Sequence, residues 1–204
     1  MVASVQSPTD LVNLALVRVG YKKSIGSLYD GSEAAKIALR VYSQTRDELL
    51  RQNDFDFAER TAIMTLLKQA PPGGYVPPAA WSTAYPPPGY LFEYAYPDDC
   101  LKVRAIKPQP IFLLEFDPQP VVYTTANDAT FTPPQMVILC NVPNAIMTYT
   151  AQVTDLQAWD TDTLEAFAGA LGRRLAPALL GLNAAKLAVE DEQAAFAVAE
   201  KEQG

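Results

Sequence analysis

Two Asp-x-Asp pairs, Asp54-Phe55-Asp56 and Asp160-Thr161-Asp162, have the residue types and spacing to hold a divalent cation, because paired carboxylates offer hard oxygen ligands to Mg²⁺ or Ca²⁺. Neither continues into an EF-hand loop, and no phosphate-cradling loop lies beside them, so helix-end and turn duty is the expected role. Gly31-Ser32-Glu33-Ala34-Ala35-Lys36 gathers the Gly, Ser and Lys of a phosphate loop but lacks its second glycine and its Lys-Ser/Thr ending. It reads as a helix start. Cys100 and Cys140 form no Cys-x-x-Cys pair, and the chain has no histidine, so a zinc tetrad is out of reach. They read as reduced, half-buried thiols. The missing histidine also removes the usual general base and every Ser/His or Cys/His pair. No catalytic, cofactor-binding or metal-ligating residue is therefore assigned, and the chain is expected not to be an enzyme. A hydrolase working with carboxylates alone is the remote alternative, and it needs two acids converging at about 5–9 Å.

Composition narrows the partners. The 204 residues are 49% hydrophobic and 19% charged, enough for one ordinary domain or two small ones sharing a core. Sixteen basic against 23 acidic residues give a net charge of −7, which argues against a nucleic-acid reader. Residues 155–204 are the acidic end, with nine acidic and four basic groups. A surface of that sign repels DNA and suits a channel in which DNA must slide. The first apolar run, Leu11 to Val19, is too short to span a bilayer and is broken by Asn13 and Arg18, so no membrane partner is expected.

The elements follow from proline. Of 17 prolines, all but Pro8 and Pro177 fall between Pro71 and Pro143, which predicts strands and loops in the middle and helices on both flanks. Ser7-Pro8-Thr9-Asp10 opens a helix that Gly20 stops. Asp30-Gly31-Ser32-Glu33 has capping-box spacing and opens a second, striped by Ile37, Val41, Thr45 and Leu49 and running to about Asn53. Arg60 to Leu67 reads as one strand. Further strands are expected at Leu91–Tyr96, Leu101–Lys107, Ile111–Phe116, Val121–Thr125, Gln135–Cys140 and Ala145–Gln152, the last two as a hairpin through Asn141-Val142-Pro143-Asn144. Short strands without intervening helices imply an antiparallel sheet, not a Rossmann-type one.

Residues 70–90 form a long Pro/Gly/Tyr loop. Its plain reading is a polyproline-rich surface excursion. The sharper one is a contact arm whose anchors are Tyr75, Trp81, Tyr85 and Tyr90, so that removing Pro72 to Pro88 would weaken assembly and leave the fold intact. Asp162-Thr163-Leu164-Glu165 opens the C-terminal helix, which Pro177 should kink or end. The Ala-rich segment 184–202 scatters Leu187, Val189, Phe196 and Val198 around its circumference, and these four are the candidate subunit interface.

The order of several strings resembles a known family. Asp10-Leu11-Val12-Asn13-Leu14-Ala15-Leu16 with Val19-Gly20, then Ile25-x-Ser27-Leu28-x-Asp30-x-Ser32-x-x-Ala35, then Tyr42-x-x-x-Arg46-Asp47-Glu48-Leu49-Leu50, is similar to the N-terminal half of tail tubular protein A-like head-to-tail adaptors of tailed bacteriophages. Phe55-Asp56-Phe57-Ala58 resembles the family's aromatic cluster, with Phe55 where tryptophan is commoner. Tyr94-Ala95-Tyr96-Pro97-x-Asp99-Cys100-Leu101 resembles its mid-chain strand and turn, with Tyr96 in place of leucine. Val153-Thr154-Asp155 leading to Leu171-x-x-x-Leu175-Ala176 resembles its return to helix.

The resemblance implies an α+β fold: N-terminal helices over 1–56 and C-terminal helices over 155–204 make a bundle, with a small antiparallel β subdomain over 57–154 inserted. It further implies a dodecameric ring under the portal protein, a downstream tail protein as second partner, DNA passing through the lumen, no cofactor, and a place in the virion after assembly in the host cytoplasm. The alternative from another class is a monomeric module that binds proteins through the Pro/Tyr-rich loop.

Overall fold

The computed structural model describes residues 7–73, 81–109 and 118–181, together with Val5 and Gln193. The fold is α+β, as expected, and the chain divides into two compact units, Met1–Ala58 with Gln152–Gly204, and Glu59–Ala151.

The helical unit holds α1 (Pro8–Arg18), α2 (Glu33–Gln52) and α3 (Thr161–Leu180). Ser7 caps α1, its Oγ accepting from the Asp10 amide at 3.2 Å, with Pro8 in the first turn. The cap of α2 is Ser32, not Asp30: Ser32 Oγ accepts from the Ala35 amide at 3.2 Å. Asp30 instead closes the preceding loop, its carboxylate accepting from the Gly26 and Ser32 amides at 2.7 and 2.8 Å. Those bonds hold the Asp30 carboxyl down at about 2, below the ordinary carboxylate range. Asp160 caps α3 through the Thr163 amide at 2.7 Å, two residues ahead of the expected box. Of the two Asp pairs, this member has the helix-end role that the sequence suggests. Pro177 does not end α3; it sits exposed in the last turn, and the helix runs to Leu180 before Gly181 at φ 85°.

α3 packs against both α1 and α2. Small residues bring the backbones close: a Cβ added to Gly172 would lie 2.9 Å from Val19 Cγ1 and 3.3 Å from the Ala15 carbonyl oxygen. On α2 the buried positions are Ala34, Ala35, Ala38, Tyr42, Thr45, Arg46, Leu49 and Leu50. Ile37 and Val41 of the expected stripe are only half-buried, because the alanines, one position round, are what allow close approach. An aromatic row, Phe55, Phe57, Trp159, Phe167 and Tyr42, runs through this core with successive centroids 5.1–5.4 Å apart.

The β unit contains β1 (Glu59–Ile63), β2 (Leu66–Gln69), β3 (Phe92–Ala95), β4 (Cys100–Lys107), β5 (Tyr123–Asp128), β6 (Gln135–Cys140) and β7 (Ile146–Ala151). They form two antiparallel sheets, one in the order β1-β7-β4 and the other β2-β3-β6-β5. Two expectations are corrected. The single strand over Arg60–Leu67 is two strands in different sheets: Met64 is buried, its amide donates to the Ala145 carbonyl at 2.9 Å, and Thr65 accepts from the Ala95 amide at 2.9 Å. At Met64-Thr65 the chain passes from one sheet to the other. The expected hairpin of β6 and β7 does not form either, since β6 lies between β3 and β5 while β7 lies between β1 and β4. Asn144, at φ 49°, helps turn that connection into a crossover.

The strand expected at Ile111–Phe116 lies outside the described residues. β5 begins two residues later than expected and extends to Asp128, paired residue by residue with β6. The core of this unit is Met64, Phe92, Tyr94, Ile106, Ile138, Met147 and Tyr149, with Cys100 and Cys140 among them. Both thiols are free and, unlike the half-buried state expected from the sequence, buried within the sheet core, and burial pushes both above the ordinary thiol value.

Candidate functional site

Alternation along β3 and β6 sends Phe92, Tyr94, Ile138 and Cys140 into the core of the β unit and leaves Glu93, Val137 and Leu139 on the opposite face. That face is covered all the same, because Val137 and Leu139 are buried. Its cover is the Pro/Tyr-rich loop: Trp81, Thr83, Tyr85 and Pro87 stand over Lys68, Glu93, Ala126, Asp128, Val137 and Leu139 and enclose a cavity of about 140 Å³. The loop is tied down at several points. Trp81 Nε1 donates to the Pro86 carbonyl at 2.7 Å, and the Tyr90 hydroxyl donates to Thr124 Oγ1 at 2.9 Å. The Leu91 amide donates to Asn141 Oδ1 at 2.8 Å, and Asn141 Nδ2 donates to the Gly89 carbonyl at 3.3 Å.

Three charges meet under this cover. Pairing in register sets Lys68 of β2 beside Glu93 of β3, and Asp128 ends β5. Lys68 Nζ forms an ion pair with Asp128 Oδ2, donates to Thr130 Oγ1 at 3.0 Å and lies 5.5 Å from the Phe131 ring centroid. Glu93 is 1% exposed. Among the described residues its ionised Oε1 accepts no hydrogen bond, and Lys68 Nζ stands 3.5 Å from it, at the outer limit of a directed bond. Burial, and then a hydrogen bond with the Asp128 carboxyl that Glu93 can donate only when protonated, raise Glu93 to about 6, against the opposing pull of Lys68. Asp128 moves the other way. Burial would raise it, but hydrogen bonds from Lys68 and Thr130 outweigh that and hold it well below the carboxylate range. One ammonium thus serves two carboxylates, one tightly and one poorly.

Such a pair, split in acidity, is the pattern of an acid and a base. The cavity, however, is smaller than the ~300 Å³ or more of ordinary substrate sites, and both acids crowd one lysine instead of facing each other across a gap. The arrangement can hold a small group by charge. Among the described residues no group of three or more His, Cys, Asp or Glu could hold a metal ion.

Of the anchors expected on the loop, Trp81 is at the rim of this cavity and 42% exposed, Tyr85 lines it half-buried, and Tyr90 is half-buried on β5. Tyr75 lies outside the described residues, as do Leu187, Val189, Phe196 and Val198. Lys68, Glu93 and Asp128 were not singled out from the sequence. The signal was present: a glutamate between Phe92 and Tyr94, in a strand whose other members are apolar, is a charge on a strand interior that must find a partner. Large apolar side chains also stand exposed elsewhere: Val17, Tyr29, Leu39 and Leu180 on the helical unit, and Ile63, Leu66, Leu91, Val122 and Met136 on the β unit.

Compared with models of known protein families the chain has no match, and compared with curated proteins it has none either.

Proposed function

We propose that this chain is a structural head-to-tail adaptor of a tailed bacteriophage, one subunit of a ring that joins the portal protein to the tail and surrounds the path of the DNA. The reading rests on the ordered strings from Asp10 to Ala176 and their resemblance to tail tubular protein A-like adaptors. The observation that carries it further is the apolar surface left open on one copy: Tyr29 is 81% exposed and Val122 91% exposed, with Val17, Ile63 and Met136 also more than half exposed. Scattered apolar residues are ordinary on a protein surface, but a subunit that must gain a specific interface of at least ~1,000 Å² needs such contacts in supply.

The polar residues of the resembling strings have fixed structural duties, which gives their spacing a physical reason. Asn13 Nδ2 donates to the Ile25 carbonyl at 3.1 Å, and the Ile25 amide donates back to Asn13 Oδ1 at 2.8 Å. Asp30 and Ser32 then close the loop and cap α2. The result is a stiff connection that presents Tyr29 outward.

Oxidative footprinting of the chain, alone and mixed with the portal protein of the same virus, tests the reading. Val17, Tyr29, Ile63, Val122 and Met136 are all expected to react in the free chain, and one contiguous subset of them should become protected in the mixture. Equal reactivity of all five with and without the portal would refute it.

A further inference from the structure

We propose that the cavity beneath Trp81 binds a small guanidinium or alkylammonium group, with Glu93 as its counter-ion and Trp81 and Tyr85 as its walls. The inference stands apart from the adaptor reading, since it uses only residues of the β unit. Charge comes first. Lys68 is already engaged by Asp128 and Thr130, so at a pH where Glu93 is ionised the group left without a donor among the described residues is a carboxylate, Glu93 Oε1, in a residue only 1% exposed. A buried carboxylate so placed is costly, and a second cation is what would complete it. An anion would meet two carboxylates. A neutral guest could donate a hydrogen bond to Oε1 but would leave its charge uncompensated.

Shape and surface agree. A cavity of about 140 Å³ admits a group of roughly benzene size. Its lining combines aromatic faces (Trp81, Tyr85), an apolar floor (Ala126, Val137, Leu139) and the side chains of Thr83 and Asn127. Aromatic faces beside a carboxylate attract organic cations, whereas a hard metal ion prefers several oxygens. The same chemistry is carried by a free amine or guanidine and by the end of a lysine or arginine side chain on another protein.

The test uses the full chain labelled with ¹⁵N, which has two tryptophans and therefore two indole signals, the Trp81 signal being identified with Trp81→Phe. Titrated with n-butylguanidinium at pH 7.5, the Trp81 signal should shift to saturation while that of Trp159 stays in place. The uncharged isostere n-butylurea should bind at least about 10-fold more weakly, as should the cation to Glu93→Gln. An arm without substitution guards against a misfolded variant: on the native chain, affinity should fall between pH 7.5 and pH 5. Among the described residues, the charged or titratable groups facing Glu93 are Lys68 on β2, Asp128 on β5 and Tyr85 on the loop. Asp128 stays ionised throughout that range, so the loss would belong to Glu93. An arginine tripeptide with blocked ends separates the sources. Binding at least as tight as that of n-butylguanidinium points to a protein side chain, and weaker binding to a free small cation. No shift of the Trp81 signal, an equal shift with n-butylurea, or unchanged affinity in Glu93→Gln together with no pH dependence would overturn the proposal.

Discussion

One set of ion pairs in each unit makes a contrast in burial. In the helical unit Arg18 pairs with Glu165 at 2.9 Å, with side chains 22% and 41% exposed, and Arg174 pairs with Glu48 in a similar setting. In the β unit Lys68 and Asp128 are 12% and 10% exposed, with Glu93 beside them at 2%. Water reaches the glutamate of each of these two helical pairs, so losing one costs less. The β cluster lies largely buried under a loop, so each member depends on the others. The Lys68 cluster should therefore weigh more on its unit's stability than Arg18–Glu165 and Arg174–Glu48 do on theirs; Arg46–Asp47, at 10% and 21% exposure, is the less exposed pair of the helical unit.

The largest expected effect breaks the contrast at its strongest point. Lys68→Met would leave two carboxylates buried without their cation and should cost the β unit about 3–5 kcal/mol, against at most about 1 kcal/mol for Arg18→Met in the helical unit. Denaturant titration read separately on the two units, through exchange of β3 and α3 amides, gives both numbers. Similar losses would erase the distinction.

Next comes packing. Gly172→Val should destabilise the helical unit by about 1–3 kcal/mol, since its Cβ would press on Val19 and the Ala15 carbonyl. β3 amides should keep their protection. The same comparison revises the idea that Pro72 to Pro88 can be removed freely. Without Trp81 to Pro87 the face carrying Glu93, Val137 and Leu139 opens to water, so the deletion should lower the stability of the β unit, which thermal unfolding would register.

A smaller effect sharpens the picture through pH. Glu93 has its folded value raised from 4.5 to about 6, so its contribution is complete below about 4.5 and is lost as pH rises through 6, a span worth on the order of 2 kcal/mol. Asp128 is shifted the other way, and its contribution is present above its unfolded value of 3.8 and lost as pH falls through its lower folded value. From these two groups the β unit should therefore be most stable near pH 4 and lose stability as pH rises from about 4.5 through 6, a limb that Glu93→Gln should flatten. A curve of unchanged slope in that variant would assign the limb to other groups.

What could be read from the residues alone divides along the same line. Helix starts depend on neighbours three residues apart, so Ser7-Pro8 and the approach of α2 and α3 were legible, with errors of two residues where two candidate caps compete, Asp30 with Ser32 and Asp160 with Asp162. β6 was legible to its ends, as an apolar run between a proline and an asparagine. Its partners were not: pairing is a non-local choice, and nothing near Asn141 says that β6 joins β3 and β5 while β7 joins β1 and β4. The candidate site inherits that difficulty. Lys68, Glu93 and Asp128 lie 25 and 35 residues apart along the chain, and only the strand order brings them together.

The central claim is that one copy is incomplete until its siblings and a portal cover its apolar surface. The direct measurement is the mass of the chain by light scattering, alone and with the portal protein of the same virus. The account predicts a complex that carries a ring of copies when the portal is present; a species that stays at 22.2 kDa in both samples, at every concentration tried, would contradict it.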